Sequence, residues 1–374
     1  MKIIAADYRG TAVREFVFTS GKVRVSPSRA RRSSYVCGPA FVDLQCNGFA
    51  GVDFNNPQTT PEQVCEAVRA IWKTGCASVL PTVITASPDR LEASLRTLVA
   101  AREMDPEVRR SIPGFHLEGP FISELDGARG AHPREHVRPP DVKLWRRLHK
   151  AAGGLIRLVT LAPEAPGAVR LIRQLRTEKV LVALGHTMAT REQIAAATAA
   201  GAAMSTHLGN GCPQMLHRHE NPILSQLADD GLAASFIADG IHLPPDVLRT
   251  FIRAKGQMRT VLVTDAMSAA GAAPGRYTIG ELVIEVGKDR VVRQPRSPNF
   301  AGSALTMNDA VANKIRAGAL DLHQAWAAAS TTPAALLQRR CGIRLHPAQI
   351  IARQNVKTLE IQALISAGRL LFKP

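Results

Sequence analysis

Ala183-Leu184-Gly185-His186 and, twenty-one residues on, Met204-Ser205-Thr206-His207 decide how the chain reads. Each histidine ends a short apolar run with the character of a buried strand, and residues 190–200 between them have helical spacing. Strand, helix, strand, with a polar residue where each strand ends, is how an α/β barrel carries side chains to a shared mouth. Two neutral imidazoles delivered that way suit a first-row divalent metal. A lone histidine is more often a core residue, so what matters is that the pattern recurs.

It recurs on both sides. Upstream, Ala40-Phe41-Val42-Asp43-Leu44-Gln45 is a buried strand that breaks into a glycine-rich loop at 47–51. Helical spacing at 61–73 precedes a strand at 77–81, and helical spacing at 90–102 precedes Gly114-Phe115-His116-Leu117-Glu118. A loop over 119–138 carries His132, and a strand at 155–161 with a helix at 166–175 leads into the two histidine strands. Downstream, a strand at 233–238 ends in Asp239-Gly240-Ile241-His242, and one at 260–264 ends at Asp265. Helices at 306–317, 322–330 and 333–339 follow. Six or seven such units predict the α/β class, a (β/α)8 TIM-like barrel over 39–344. No G-x-G-x-x-G follows the first strand, which argues against a dinucleotide-binding sheet.

Residues 277–293 alternate like strands and predict a hairpin insertion into the barrel. The two chain ends also alternate, at 2–4, 13–18 and 22–25 and again at 358–365 and 369–372. They predict one small β-sandwich domain built from 1–38 and 345–374.

Composition narrows the class. With 374 residues, 45% of them hydrophobic, the chain can fill a large core. No apolar run reaches the roughly 18 residues of a membrane helix, and Asp7 interrupts the N-terminus too early for a signal peptide. The cysteines at 37, 46, 65, 76, 212 and 341 form no C-x-x-C pair, which predicts reduced thiols and a cytoplasmic location. The net charge of +16 is dispersed, with small groups at 29–32 and at Arg146-Arg147, and aromatic residues are only 5%. Nucleic-acid binding needs clustered charge and stacking rings, so neither nucleic acid nor membrane is the expected partner. A basic surface that draws in a phosphorylated small molecule fits better, and an arginine-rich composition with no functional meaning fits better still.

Among the polar residues at predicted strand ends, Glu118, His186 and His207 make a His₂-carboxylate set. Three protein ligands with one open position is the arrangement of a hydrolytic zinc site, where the metal makes hydroxide available near neutral pH. Asp265, aimed at the same mouth by Val261-Leu262-Val263, can take the proton from that water and return it to a leaving group. His116, two residues before Glu118, reads as a structural neighbour, and Cys46 and Cys212 have no evident base to make them nucleophiles.

Seven ordered motifs resemble one known family. They are Phe41-Val42-Asp43-Leu44-Gln45-Cys46-Asn47-Gly48, His116-Leu117-Glu118-Gly119-Pro120, Leu184-Gly185-His186-Thr187 and Thr206-His207-Leu208-Gly209-Asn210, then Ile237 to His242, Val263-Thr264-Asp265-Ala266 and Gly302 to Met307. Together they look like the motifs of N-acetylglucosamine-6-phosphate deacetylases, in the amidohydrolase superfamily. The resemblance implies a divalent metal, usually zinc, with iron, cobalt or manganese as alternatives, and removal of acetate from an amino-sugar 6-phosphate. By matching motif, Glu118, His186 and His207 would hold the metal, Asp265 would be general base and acid, and His132 would polarise the acetyl carbonyl. His242 and Met307 would bind the sugar, and Asn210, the Gly211 N–H and Arg218 the phosphate. In relatives that arginine often enters a neighbouring subunit's site, so a homodimer is implied.

Two departures stand out. Many amidohydrolases carry H-x-H where this chain has Gln45-Cys46-Asn47; amides are poor zinc ligands, so the second metal site should be absent. Extra histidines, His217 and His219, flank Arg218, which leaves open another acidic substrate for a related amide hydrolase. A non-catalytic sugar-phosphate binder is the remaining alternative, opposed by the full metal set and Asp265.

Overall fold

A computed structural model describes residues 2–19, 22–30, 33–295, 300–355 and 358–374. Of the basic group at 29–32, Arg31 and Arg32 lie outside the described residues. Eight parallel strands lie side by side in chain order: Phe41–Cys46, Cys76–Ile84, Phe115–Glu118, Ile156–Leu161, Leu181–Leu184, Met204–Ser205, Ala233–Ile237 and Thr260–Val263. The eighth closes back on the first. Asp265 N–H donates to the Gln45 carbonyl at 3.0 Å, Ala266 bridges Cys46, and the buried Asp43 carboxylate accepts from the backbone and hydroxyl of Thr264. The expected (β/α)8 barrel is therefore present.

Local chemistry explains the elements. The first strand is buried along its whole length, as a parallel strand covered on both faces must be. Thr60 and Thr190 each cap a helix reciprocally with a glutamine three residues on, which starts Pro61–Trp72 and Arg191–Ala200 sharply. Inside the barrel, below the mouth, His116 Nε2 lies 2.8 Å from Thr160 Oγ1, which lies 2.7 Å from Thr206 Oγ1. Burial pushes the His116 imidazole down to about 4, so it sits in that polar layer uncharged.

Both chain ends form a second sheet of seven strands, in the order Arg369–Phe372, Leu359–Ser366, Ala348–Gln354, Tyr35–Pro39, Lys2–Asp7, Val13–Thr19, Lys22–Pro27. All pairs are antiparallel except Lys2–Asp7 with Tyr35–Pro39. The edges meet, since Val23 N–H donates to the Gly368 carbonyl at 3.0 Å, and the rolled sheet encloses Phe16, Ile351 and Ile365. The strands Tyr35–Pro39 and Ala348–Gln354, absent from the sequence reading, are the two that join the N-terminal and C-terminal halves of this sheet.

The insertion is a three-stranded antiparallel sheet, Gly275–Ile279, Leu282–Val286 and Val292–Arg293, rather than a simple hairpin. It stands at the mouth, anchored by Asp53, whose Oδ2 accepts from Gly280 N–H at 2.7 Å and Thr278 Oγ1 at 3.2 Å. No helix among the described residues is long and apolar enough to cross a membrane.

Candidate active site

Glu118 is the last residue of the third strand, whereas His186, His207 and Asp265 each lie two residues past the fifth, sixth and eighth. These three occupy left-handed backbone, with φ of 51°, 26° and 48°. That conformation turns the chain abruptly as it leaves the sheet and aims each side chain back over the barrel mouth. All four are buried.

One oxygen of Glu118 is the meeting point. His207 Nε2 lies 3.1 Å and His186 Nε2 3.4 Å from Glu118 Oε1, and one ligand atom from each of the three residues lies within 4.8 Å of the others. His186 Nδ1 is 2.9 Å from the Ala128 carbonyl. A carbonyl can only accept, so Nδ1 carries a hydrogen, and Nε2, turned toward Glu118, is the ring atom left to ligate a metal. A carboxylate oxygen and two imidazole nitrogens converging in a buried pocket make a donor set that fits a divalent ion. Burial opposes the charge on Glu118, but hydrogen bonds with both histidines prevail and hold its carboxyl well below the usual range. Burial likewise opposes charge on His207, yet Glu118 raises that imidazole.

The amides at the first strand's end reach the two acids. Gln45 Nε2 donates to Glu118 Oε1 at 2.9 Å and Asn47 Nδ2 to Asp265 Oδ1 at 2.8 Å. Burial lifts the Asp265 carboxyl to about 6; the positive charge of His207 opposes that rise and Glu118 adds to it.

His132 stands opposite, its ring centroid 4.4 Å from that of His186 and its Nδ1 2.8 Å from Thr85 Oγ1. Burial, then repulsion from His186, pushes it down to about 3, so it is neutral. His242 Nδ1 lies 2.6 Å from Asp239 Oδ2, whose other oxygen accepts from the backbone N–H groups of Ile241 and His242. These groups line one cavity of about 750 Å³. Asn210 and Gly211 line it too. Gly211 has φ +62°, and a Cβ there would stand 2.9 Å from His186 Nδ1, so the loop can pass the imidazole only as glycine.

Two expected substrate contacts are placed elsewhere. Met307 is buried in the main core at the start of helix Met307–Arg316 and does not line the cavity, because the helix turns its first apolar residue inward. Arg218 is exposed on the 209–221 loop, outside the cavity of its own chain. Conversely, Ile279 and Leu282 of the insertion, Phe300 and Leu216 line the cavity and were not singled out in the sequence. Their apolar character gives no hint that they face a site. Thr85 was also missed, although it follows an apolar strand directly and carried the same signal as Glu118.

A closed eight-stranded barrel, an acid and two imidazoles converging at its C-terminal mouth with an aspartate after the last strand, and a sheet from both termini define an amidohydrolase-type hydrolase. No family model matches the chain. It is 35% identical over 277 residues to the N-acetylglucosamine-6-phosphate deacetylase of Bacillus subtilis (strain 168), covering 72% of this chain and 67% of that one. It is 33% identical to the N-acetylgalactosamine-6-phosphate deacetylase of Escherichia coli O157:H7, over 83% of this chain and 80% of the other. The structure superposes with TM-score 0.86 and 29% identity on an N-acetyl-D-glucosamine-6-phosphate deacetylase variant from Mycobacterium smegmatis in complex with N-acetyl-D-glucosamine-6-phosphate, covering 100% and 99% of the two chains. The chain belongs to the N-acetylglucosamine-6-phosphate deacetylase family.

Proposed function

We propose that this chain hydrolyses the acetamide of an N-acetyl amino-sugar 6-phosphate, most simply N-acetylglucosamine 6-phosphate, to the free amine and acetate. The observation that carries this is the gathering of Glu118, His186, His207, Asp265, His132 and His242 around one cavity. Glu118, His186 and His207 would hold a single zinc ion, which when bound supplies Lewis acidity and a water acidic enough to ionise near neutral pH. The amide hydrogens of Gln45 and Asn47 point at the two acids, where a second cation would need lone pairs.

Asp265 takes the proton from the attacking water and hands it to the departing nitrogen, and a carboxyl lifted to about 6 is suited to both tasks. The Thr85 hydroxyl donates to the Glu118 carbonyl at 3.5 Å, and its oxygen lies 2.8 Å from His132 Nδ1, which fixes the ring over the cavity. His132 so held faces the acetyl oxygen, where charge develops, and polarises that carbonyl. Asp239 fixes the hydrogen of His242 on Nδ1 and leaves Nε2 to accept from a sugar hydroxyl. Asn210 and the Gly211 N–H receive the phosphate. Arg218, exposed and off its own cavity, suits a homodimer in which it completes the partner's phosphate site. Six free cysteines, five of them buried, fit the reducing cytoplasm.

The test is acetate release from N-acetylglucosamine 6-phosphate, its galactosamine epimer, and the unphosphorylated sugars, with metal content and oligomeric mass measured on the same protein. We expect phosphate-dependent release, one metal per chain and a dimer. Asp265→Asn should retain metal and lose about 10²–10⁴-fold in rate. Equal activity without the phosphate would point to a different amide substrate, and full activity of Asp265→Asn would remove the proton shuttle.

A further inference from the structure

A second cavity of about 490 Å³ adjoins the first on the side of His132. The two share Ile84, Gly130, Ala131, His132, Ile279 and Leu282. The loop with Asn210 and Gly211 lines only the first. The partition is apolar apart from the His132 ring, and thin where it consists of Gly130 and the single methyl of Ala131. Its other half is carried by Ile279 and Leu282, the residues either side of the insertion's Gly280-Glu281 turn. Behind it the cavity has an apolar floor of Val83, Ala86 and Leu91, while Asn55, Arg90, Ser94, Arg129 and Glu281 line its other sides and the exposed Arg134 and Glu135 its rim.

The acyl carbonyl must lie between the metal-ligating set and His132, and the sugar phosphate lies toward Asn210 and Gly211. The remaining substituent on the carbonyl carbon, the methyl group of an acetamide, then faces the apolar partition. We infer that this partition is an acyl-binding wall which opens into the second cavity, so that the protein hydrolyses N-acyl amino-sugar 6-phosphates with aliphatic chains of up to four carbons as well as the acetamide. This rests on the deacetylase reading above. The chemistry is unchanged: the oxygen of water joins the acyl carbon, the carbon–nitrogen bond breaks, the nitrogen leaves protonated as the amine, and propanoate or butanoate departs in place of acetate.

Magnitudes separate an open wall from a closed one. A pocket shaped to a methyl group rejects each added methylene by about 10–200-fold. A methylene that passes the wall and packs on the apolar floor of the second cavity instead gains about fourfold in binding, which offsets displacement of the wall. The experiment compares kcat/KM for the N-acetyl, N-propanoyl and N-butanoyl glucosamine 6-phosphates, in wild type and in Ala86→Trp, which fills the second cavity without touching the first. The expected result is that wild type takes the butanoyl compound within about tenfold of the acetyl one, and that Ala86→Trp loses about tenfold or more on butanoyl alone. Should Ala86→Trp not fold, Ser94→Met narrows the same cavity from the helix side. A wild-type fall of about 100-fold or more from acetyl to butanoyl, or equal effects of the filling variant on both substrates, overturns the inference. Absence of acetate release from the acetyl compound itself defeats the underlying deacetylase reading instead.

Discussion

His186, His207 and Asp265 show what a residue-by-residue reading can and cannot see. Their identities and the apolar runs before them were visible in the sequence, and so was the carboxylate at Glu118. Their left-handed backbone was not, because it is an unfavourable state for these residues, costing about 1–3 kcal/mol each, and only the closed barrel around them enforces it. Met307 lies in the core and off the cavity for a related reason: a motif places a residue along the chain, but helix geometry decides which way it faces. Gly211 offers the sharpest test at this scale. Gly211→Ala would press a methyl group into the His186 imidazole, turning it away from Glu118, and should reduce metal occupancy at least severalfold with little change in melting temperature. Metal analysis after dialysis checks this, and full occupancy would show that the loop yields instead of the imidazole.

Among elements, period distinguished strand from helix well enough to locate every barrel strand, the insertion and the outer strands of the end sheet. Tyr35–Pro39 escaped because Gly38-Pro39 reads as a breaker, whereas here it ends a strand that pairs on both sides. The helices Val142–Ala151 and Pro245–Lys255 were not among the elements expected from the sequence. The insertion's position over the cavity has no sequence signal at all, being set by contacts 225 and more residues apart, from Thr278 and Gly280 to Asp53. Asp53→Ala removes the acceptor for both, and for Asn55 N–H. We expect faster amide exchange across Gly275–Val286, a KM raised about tenfold, and a smaller effect on kcat, as befits a wall that orients substrate. Unchanged exchange would mean that the insertion holds itself in place.

The molecule as a whole carries a buried acid where the barrel closes. Burial, opposed by hydrogen bonds from Thr264 and Gln45 and reinforced by the charge of Asp265, lifts Asp43 from 3.8 to about 7. The folded chain keeps a proton there that the unfolded chain releases above about pH 4. This contribution to stability is therefore full below the unfolded value and falls as pH rises toward 7, by about 1.4 kcal/mol for each pH unit. Asp43→Asn should flatten that slope, so that the difference in melting temperature between variant and wild type shifts in the variant's favour from pH 5 to pH 8. Parallel profiles would show that Asp43 is ionised throughout.

Strand Tyr35–Pro39 lies between Lys2–Asp7 and Ala348–Gln354, so an early segment waits for one synthesised much later. Until residue 354 has left the ribosome, that strand presents an open hydrogen-bonding edge just ahead of the first barrel strand. This sheet can therefore close only after Ala348–Gln354 has been made. Nascent chains halted at residue 345 should remain protease-sensitive within 1–40 and engage holding chaperones, and resistance at that length would mean that the N-terminal strands are self-sufficient.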